Sequence, residues 1–232
     1  MRKVLFFALF MLACVPAAFA QSTTDERKGP EFFVGYTNMQ AEGVPSQEKN
    51  TNNSFDDKVF GDRTGLHGFN AEITGYVTPR FGLTGDFSFN QRSRSFNNGA
   101  GVEGDVDTRI VNVLGGPQVK FPNQTRVTPF IRALFGVANT RFEAQERRTL
   151  TTGTVSNSFT TNATDFAMAM GGGLDVRLND RVQLRVLQVD YNPVFLRNRS
   201  ISVLGGAGAL TPQTLESNRQ DNIRLSFGVV FK

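Results

Sequence analysis

The sequence predicts an all-β protein: an eight-stranded, antiparallel, up-and-down transmembrane β-barrel with long extracellular loops and short periplasmic turns. Segments of alternating hydrophobicity recur along the chain, and the connections between them are either long and polar or very short. The whole pattern follows an N-terminal export signal. Because one end of an outer-membrane barrel faces the outside of the cell and the other faces the periplasm, such a protein has a reason to keep its long connections at one end.

The N-terminus carries the three parts of a secretory signal peptide. Arg2 and Lys3 form a positive start, residues 4–15 form an apolar run, and Ala18-Phe19-Ala20 provides a cleavage site of small residues. The apolar run is too short to cross a bilayer as a permanent helix. The predicted organisation is a cleaved signal peptide over 1–20, a short periplasmic segment over 21–30 and the barrel over 31–232.

Cleavage of this signal would change the cysteine content and the net charge of the mature chain. The single cysteine, Cys14, would leave with the signal, so no thiol, disulfide or cysteine metal site would remain. The rival prediction is a lipoprotein, because Met11-Leu12-Ala13-Cys14 loosely resembles a lipobox that would make Cys14 a lipidated first residue. Loss of Arg2 and Lys3 from the 25 Lys and Arg leaves 23, against 21 Asp and Glu. This small, dispersed positive balance does not indicate nucleic-acid binding.

The strand period is clear where apolar residues alternate with small or polar ones, as they do in 81–89, 166–178 and 222–231. In a membrane barrel the apolar face meets lipid, and the small or polar face fills a narrow interior. The eight predicted strands lie at 31–41, 66–77, 81–92, 106–120, 127–142, 163–178, 181–192 and 219–231. Asn112 and Gln188 interrupt the alternation of the fourth and seventh strands, where a bulge is one explanation.

The connections between these strands fall into two classes. The short ones, predicted as periplasmic turns, are 78–80, 121–126 and 179–180. The long polar ones, predicted as extracellular loops, are 42–65, 93–105, 143–162 and 193–218. An even number of strands lets the sheet close with both termini at the same end, which removes the unpaired strand edges that lipid cannot solvate.

Several short motifs resemble those of a known family. The motifs are Gly171-Gly172-Gly173-Leu174-Asp175-Val176-Arg177, followed by Arg185, Gln188 and Asp190-Tyr191, together with Gly115-Gly116-Pro117, Thr128-Pro129-Phe130 and Gly82-Leu83-Thr84-Gly85-Asp86-Phe87. In this order they resemble strands of the outer membrane protein β-barrel domain family, which is similar to the N-terminal barrel of OmpA and includes porin-family proteins. The resemblance implies an outer-membrane barrel that the barrel-insertion machinery assembles.

The chain departs from that family pattern in two respects. Family members often end on an aromatic residue that the insertion machinery reads, whereas here Lys232 follows Phe231. A peptidoglycan-binding domain, which some OmpA relatives carry, does not follow the barrel, so wall anchoring is not expected.

Charged residues predicted on the inner face form the candidate functional network. They are Glu72, Asp86, Arg109, Arg132, Asp175, Arg177, Arg185 and Arg224. A charge in a confined interior needs a partner or water, and a guanidinium can bind a carboxylate through two hydrogen bonds. One interpretation is a polar plug that fills the barrel; the other is a small gated pore in which the pairs exchange partners. Because side chains fill an eight-stranded barrel, the plug is the preferred interpretation.

No catalytic, cofactor-binding or metal site is predicted. His67, the only histidine, has no identifiable serine or acidic partner and is predicted to lie at the outer rim. Residues 99–104 fit the pattern G-x-G-x-x-G, but dinucleotide binding would require a helix after them, and none is predicted. Both features are interpreted as ordinary surface residues.

The expected function is a structural or surface-interaction role for a monomer in the cell outer membrane, without catalysis. The expected partners are outer-membrane lipid and lipopolysaccharide, and the barrel-insertion machinery through the C-terminal strand. Arg147 and Arg148 are predicted to contact lipopolysaccharide phosphates at the outer rim, and the alternative interpretation is a solvated rim without a ligand. The alternatives are a narrow passive porin for small solutes, a loop-mediated surface adhesin and a soluble periplasmic lipid-binding barrel.

Overall fold

Eight strands form one closed antiparallel barrel in the computed structural model. The structure describes residues 29–42, 63–97, 102–150, 153–196, 199–204, 210–215 and 219–232. The strands are β1 (Glu31–Glu42), β2 (Arg63–Tyr76), β3 (Phe81–Asn97), β4 (Val102–Lys120), β5 (Val127–Leu150), β6 (Gly153–Arg177), β7 (Val182–Phe195), β8 (Arg199–Leu204), β9 (Leu210–Leu215) and β10 (Arg219–Phe231). None of the described residues forms a helix long and apolar enough to cross a membrane.

The barrel closes because its first strand pairs with its last. The order around the ring is β1-β10-β7-β6-β5-β4-β3-β2, and β8 and β9 pair only with each other in a separate two-stranded sheet. Along the closing seam, Phe32 is opposite Phe231 and Gln40 is opposite Ile223. The predicted fold class is therefore confirmed for the eight barrel strands, whereas β8 and β9 add two strands that the sequence did not predict within 193–218.

Burial alternates along the barrel strands as the sequence predicts. On β1, the side chains of Phe32 and Val34 are half-exposed on the outer face, whereas Phe33, Thr37 and Met39 are buried on the inner face. The other strands repeat this alternation, so exposed Phe, Leu, Val and Ile side chains surround the barrel. This apolar outer surface suits a lipid environment, in which the backbone polar groups must be satisfied within the sheet.

The inner face changes character along the barrel axis. Apart from Asp165, the buried charged side chains lie toward the end that carries the short turns, called here the turn end. Toward the opposite end, called the hairpin end, the inner face carries two buried apolar clusters. One contains Met39, Ala41, Leu66 and Ile110; the other contains Leu114, Leu134, Ala138, Ala167, Ala169 and Val194. The interior is thus packed with side chains at both levels.

Polar side chains that bond to the backbone hold the three short turns. Phe81 N donates to Thr78 Oγ1 at 2.9 Å, Thr125 N donates to Asn123 Oδ1 at 2.9 Å, and Val182 N donates to Asn179 Oδ1 at 2.8 Å. Thr and Asn favour turns because they can replace a missing backbone partner in this way. These contacts position the strand ends that carry the charged layer.

Two predicted extracellular loops are largely strand. The pairing of β5 with β6 continues without interruption from Val127 opposite Val176 to Leu150 opposite Gly153, and β3 pairs with β4 as far as Asn97 opposite Glu103. Beyond the lipid a strand needs no apolar face, so its Ser, Thr, Asn and charged residues lack the alternation that identified the membrane-spanning parts. The predicted signal peptide and most of 42–65 lie outside the described residues.

A bulge in β7 explains why Gln188 interrupts the alternation of that strand. Leu187 is opposite Leu174, but Arg185 is opposite the next residue of β6, Asp175, so Val186 is extra. Two consecutive side chains, those of Val186 and Leu187, are consequently exposed, and both Arg185 and Gln188 are buried.

Asn112 marks no such irregularity in the fourth predicted strand. The register of β4 with β3 is continuous there, and Asn112 lies on the inner face, where its Nδ2 donates to Ser88 Oγ at 3.0 Å. The residue interrupts the alternation in composition only, because a polar side chain occupies an inner position between Ile110 and Leu114.

Candidate functional site in the barrel lumen

A network of buried polar and charged side chains fills the lumen near the turn end, and every strand of the barrel contributes to it. Its members are Glu31 of β1, Asn70 and Glu72 of β2, Asp86 of β3, Lys120 of β4, Arg132 of β5, Asp175 of β6, Arg185, Gln188 and Asp190 of β7, and Arg224 of β10. The strand period directs each of these side chains to the inner face. Charges collected in so narrow a space must neutralise one another or remain hydrated.

Arg132 is the network cation that contacts three carboxylates. Its Nε and Nη2 donate to the two carboxylate oxygens of Asp190 at 3.0 and 2.6 Å. Its Nη1 donates to Glu72 Oε1 at 2.6 Å, and Nη2 also reaches Asp86 Oδ2 at 3.3 Å. One guanidinium therefore bridges three carboxylates, a geometry that the fixed fork of arginine permits and a lysine ammonium does not.

Arg224 completes a ring of alternating charge with Arg132. Its Nη1 and Nη2 donate to Asp86 Oδ1 and Oδ2 at 2.8 and 2.9 Å, and Nη2 also donates to Asp190 Oδ2 at 3.1 Å. Asp86 and Asp190 thus each lie between two guanidinium groups. Asn70 Nδ2 donates a further bond to Asp86 Oδ2 at 3.0 Å, which uses another lone pair of that carboxylate.

Arg185 combines ion pairing with stacking on two aromatic rings. Its Nε donates to Asp175 Oδ1 at 2.8 Å, and its Nη1 donates to Glu72 Oε2 at 2.6 Å. Its guanidinium carbon lies 4.4 Å from the ring centroid of Phe33 and 4.3 Å from that of Phe130. These distances are within the range of cation–π attraction, which is strongest for a desolvated cation.

A second tier lies closer to the turn end. Lys120 Nζ donates to Glu31 and reaches Asp175 Oδ2 at 3.4 Å, and it lies 5.2 Å from the ring centroid of Tyr76. The Tyr76 hydroxyl accepts a hydrogen bond from Gln118 Nε2 at 2.8 Å. This tier is connected to the rest of the charged network through Asp175, which also pairs with Arg185.

Several of these contacts cross the lumen. Arg132 on β5 reaches Glu72 on β2, and Arg224 on β10 reaches Asp86 on β3; in each case the two strands are three places apart in the ring. The charged side chains therefore form a cross-linked layer across the interior. A solute could pass this layer only if the ion pairs separated, and the loss of one partner would leave the others buried without compensating charge.

The structure brings six of the eight predicted interior charges together and leaves two outside the network. Glu72, Asp86, Arg132, Asp175, Arg185 and Arg224 are all buried in it. The prediction is wrong for Arg109, because the unbroken period of β4 buries Thr108 and Ile110 and exposes Arg109 on the outer face. Arg177 shares its strand face with Asp175 but is the last residue of β6, where its side chain is exposed to solvent beyond the network.

Sequence reasoning missed Asn70, Gln188, Asp190, Lys120 and Glu31 as members of the network. The bulge at Val186 reverses the parity of β7, so an alternation counted from Arg185 excludes Asp190 from the inner face. Gln188 and Asp190 belong to the motifs that resemble the family, and this resemblance is the feature of the sequence that could have identified them as network members. Lys120 and Glu31 stand at strand ends, where the period of a strand carries least information.

The other residues that the sequence singled out lie outside the lumen. His67 is exposed on the outer face of β2, where it bonds to the Tyr36 hydroxyl and lies 3.3 Å from Asn38 Nδ2. Gly104, the last residue of the glycine pattern, belongs to β4 and not to a loop. Arg147 is exposed on β5, and the side chain of Arg148 lies outside the described part. Within the described ranges, no group of three His, Cys, Asp or Glu is placed to hold a metal ion.

Taken together, the apolar outer face, the closed eight-stranded sheet and the ion-paired lumen define a small transmembrane β-barrel protein. The chain belongs to the outer membrane protein β-barrel domain family, whose profile matches residues 5–231. The structure and the family together place the protein among outer-membrane barrels, as the sequence motifs had implied.

Several solved outer-membrane barrels resemble the chain in fold. Ail, the attachment invasion locus protein of Yersinia pestis, is 16% identical over 88% of this chain and 99% of its own, with a TM-score of 0.40. Neisserial surface protein A is 11% identical over 88% and 99%, with a TM-score of 0.41. OprG of Pseudomonas aeruginosa is 12% identical over 87% and 94%, with a TM-score of 0.48. Among proteins with curated descriptions, none matches this sequence.

Proposed function

We propose that this protein is a closed outer-membrane barrel with a structural and surface-interaction role, and that it catalyses no reaction. The observation that carries the proposal is the layer of ion pairs across the lumen, in which strands on opposite sides of the barrel are connected. A passive porin would need a continuous aqueous path, but side chains fill the interior of an eight-stranded barrel.

The length of the central strands supports a role at the cell surface. A tilted strand needs only about 9–11 residues to cross a bilayer. β5 and β6 have 24 and 25 residues, so roughly half of each projects beyond the apolar band at the hairpin end. Beyond that band, their outer side chains are polar, as at Asn162, Thr160 and Ser158. The barrel is thus the anchor, and the projecting sheet is the part available to the surroundings.

The proposed partners follow from this placement. In the outer membrane, the protein is a monomer that contacts outer-leaflet lipid, including lipopolysaccharide, and the barrel-insertion machinery recognises its C-terminal strand. The predicted contact of Arg147 and Arg148 with lipopolysaccharide remains part of this proposal. Export by a signal peptide cleaved after Ala20 is the route we propose to this location.

Two measurements test the proposal. Purified protein in a planar bilayer should give no discrete conductance steps. Conductance steps that disappear in Arg132→Ala and Arg185→Ala would contradict the closed barrel and support a gated pore.

The surface role is tested by cysteine labelling. Ser158→Cys should react with a membrane-impermeant maleimide on intact cells, because this exposed residue lies in the projecting part of β6. The matched control is Asn123→Cys, exposed in a turn at the opposite end, which should react only after lysis. The reverse labelling would contradict surface presentation.

A further inference from the structure

Two arginines face each other on the outer surface just above the apolar band. Arg109 on β4 is directly opposite Arg141 on β5, and both side chains are exposed. The same row across the sheet continues to Gln91 on β3 and Asn162 on β6. Like charges placed directly opposite each other destabilise a sheet unless an opposite charge lies between or near them. Carboxylates of the next row, Asp107 and Glu143, offset part of this repulsion, and an anion bound between the two guanidinium groups would offset more of it.

The neighbours of the two arginines leave a site for an anion. Arg141 has an ion pair with Glu143, two residues further along the same strand face. The Arg109 guanidinium carbon lies 5.4 Å from the ring centroid of Phe89, and among the described residues no carboxylate forms an ion pair with it. The two side chains line a cavity of about 140 Å³ that also includes Gln91, Asp107 and Glu143. An arginine on an aromatic face beside an open cavity is ready to bind a phosphate oxygen.

The chemistry of the outer side chains changes from row to row along the strands, from the apolar band toward the hairpin end. One step toward the turn end, Phe89 is opposite Val111, and this row belongs to the apolar band. One step toward the hairpin end, Asp107 is opposite Glu143. Each step is two residues, or about 7 Å along a strand. The outer face therefore runs from apolar through cationic to acidic within about 14 Å, which is the scale of a lipid headgroup.

We propose that this surface, defined by Phe89, Arg109, Arg141 and Glu143, binds the phosphorylated sugar headgroup of an outer-leaflet glycolipid. The acyl chains lie on the apolar row, a phosphate lies between the two guanidinium groups, and the acidic row accepts hydrogen bonds from sugar hydroxyls. The proposal rests on the proposed location in the outer membrane, and it places the lipid contact three two-residue steps along β5, or about 20 Å, closer to the bilayer than Arg147. Binding forms no covalent bond.

The test is a comparison of lipid retention by folded barrels. Protein reconstituted with phosphatidylcholine and bisphosphorylated lipid A, or with lipid A from which the phosphates have been removed, is extracted and the lipid retained per barrel is measured by native mass spectrometry. The wild type should prefer the phosphorylated form, and Arg109→Gln combined with Arg141→Gln should lose about tenfold or more of that preference. The matched control is Arg126→Gln combined with Arg181→Gln, two exposed arginines at the turn end, which should leave it unchanged.

The remaining outcomes distinguish binding of the lipid from binding of a soluble anion. They also distinguish failure of this site from failure of the proposed closed barrel. An unchanged preference in the Arg109/Arg141 variant would overturn the site. Displacement of lipid A by an equal concentration of inorganic phosphate would also overturn it, because the site would then recognise a soluble anion. Each variant must keep its boiling-dependent gel shift, which reports a folded barrel. Conductance of the wild type would refute the closed barrel alone, since lipid retention is measured independently of it.

Discussion

At the scale of single residues, a few arginines stabilise the lumen because each of them forms ion pairs with two or three carboxylates. We expect Arg132→Ala to destabilise the folded barrel by about 3–5 kcal/mol, because it leaves Glu72, Asp86 and Asp190 buried with less compensating charge. Urea unfolding in lipid vesicles, followed by the gel shift on boiling, measures this loss. Arg126→Ala, at an exposed turn position, should change stability by less than about 0.5 kcal/mol. Equal effects of the two substitutions would contradict the assignment.

The stacking of Arg185 gives a second prediction at this scale. Arg185→Lys keeps the positive charge but loses the planar group that lies between Phe33 and Phe130, and it cannot bind Asp175 through two donors. We expect a loss of about 1–3 kcal/mol in the free energy of unfolding, measured in the same vesicles. The matched change Arg181→Lys, at the exposed end of the turn before β7, serves as control. A neutral Arg185→Lys would mean that charge alone matters in the lumen.

At the scale of elements, β6 packs closely against its neighbours where it carries three consecutive glycines. A Cβ at Gly173 would approach the Leu187 backbone oxygen at 2.4 Å and the Phe130 ring at 2.9 Å, whereas a Cβ at Gly115 of β4 would meet nothing closer than 3.7 Å. We expect Gly173→Ala to cost about 1–3 kcal/mol of stability through crowding, and Gly115→Ala to be tolerated. Urea unfolding compares the two, and equal tolerance would show that both the β7 backbone at Leu187 and the Phe130 ring can move away from an added methyl group.

The same elements show how far the sequence predicts this structure. Alternation identified the membrane-spanning part of each strand because lipid demands an apolar face there, and β10 at 219–231 has the bounds predicted for it. It did not identify the outer halves of β5 and β6, since backbone pairing in water imposes no side-chain pattern. It also placed Arg109 inside, whereas the continuous register of β4 exposes it, and it omitted Asp190, because the bulge at Val186 reverses the inward parity of β7.

At the scale of the whole molecule, the closure of the barrel between β1 and β10 determines which charged side chains pair in the lumen. Glu72 and Arg132 lie far apart in sequence and on non-adjacent strands, so no local pattern connects them. Only the ring order brings them to the same level of one narrow interior. The sequence could therefore predict that charged residues face inward, but the pairing of each carboxylate with a particular guanidinium follows from the register of all eight strands together.

Closure itself can be tested across the seam between β1 and β10. Thr37 and Ser226 are opposite each other there, and their hydroxyl oxygens are 3.1 Å apart in the interior. Opposed residues of antiparallel strands have Cα atoms about 4.5–5.5 Å apart, within the range that a disulfide needs. We expect Thr37→Cys combined with Ser226→Cys to form a cross-link on mild oxidation. Because the bond would enclose nearly the whole barrel, the boiled, unreduced chain should migrate differently from the reduced chain.

The control for this experiment keeps one cysteine in place and moves the other away from the seam. Asn112 is also buried on the inner face, but its strand, β4, is three places from β1 in the ring. Thr37→Cys combined with Asn112→Cys should therefore remain reduced under the same oxidation. If both pairs cross-linked equally, the inner residues would exchange neighbours freely, and the fixed register that assembles the charged network would be refuted. A cross-link only at Thr37 and Ser226 requires that the first and last strands be neighbours, as a closed barrel demands.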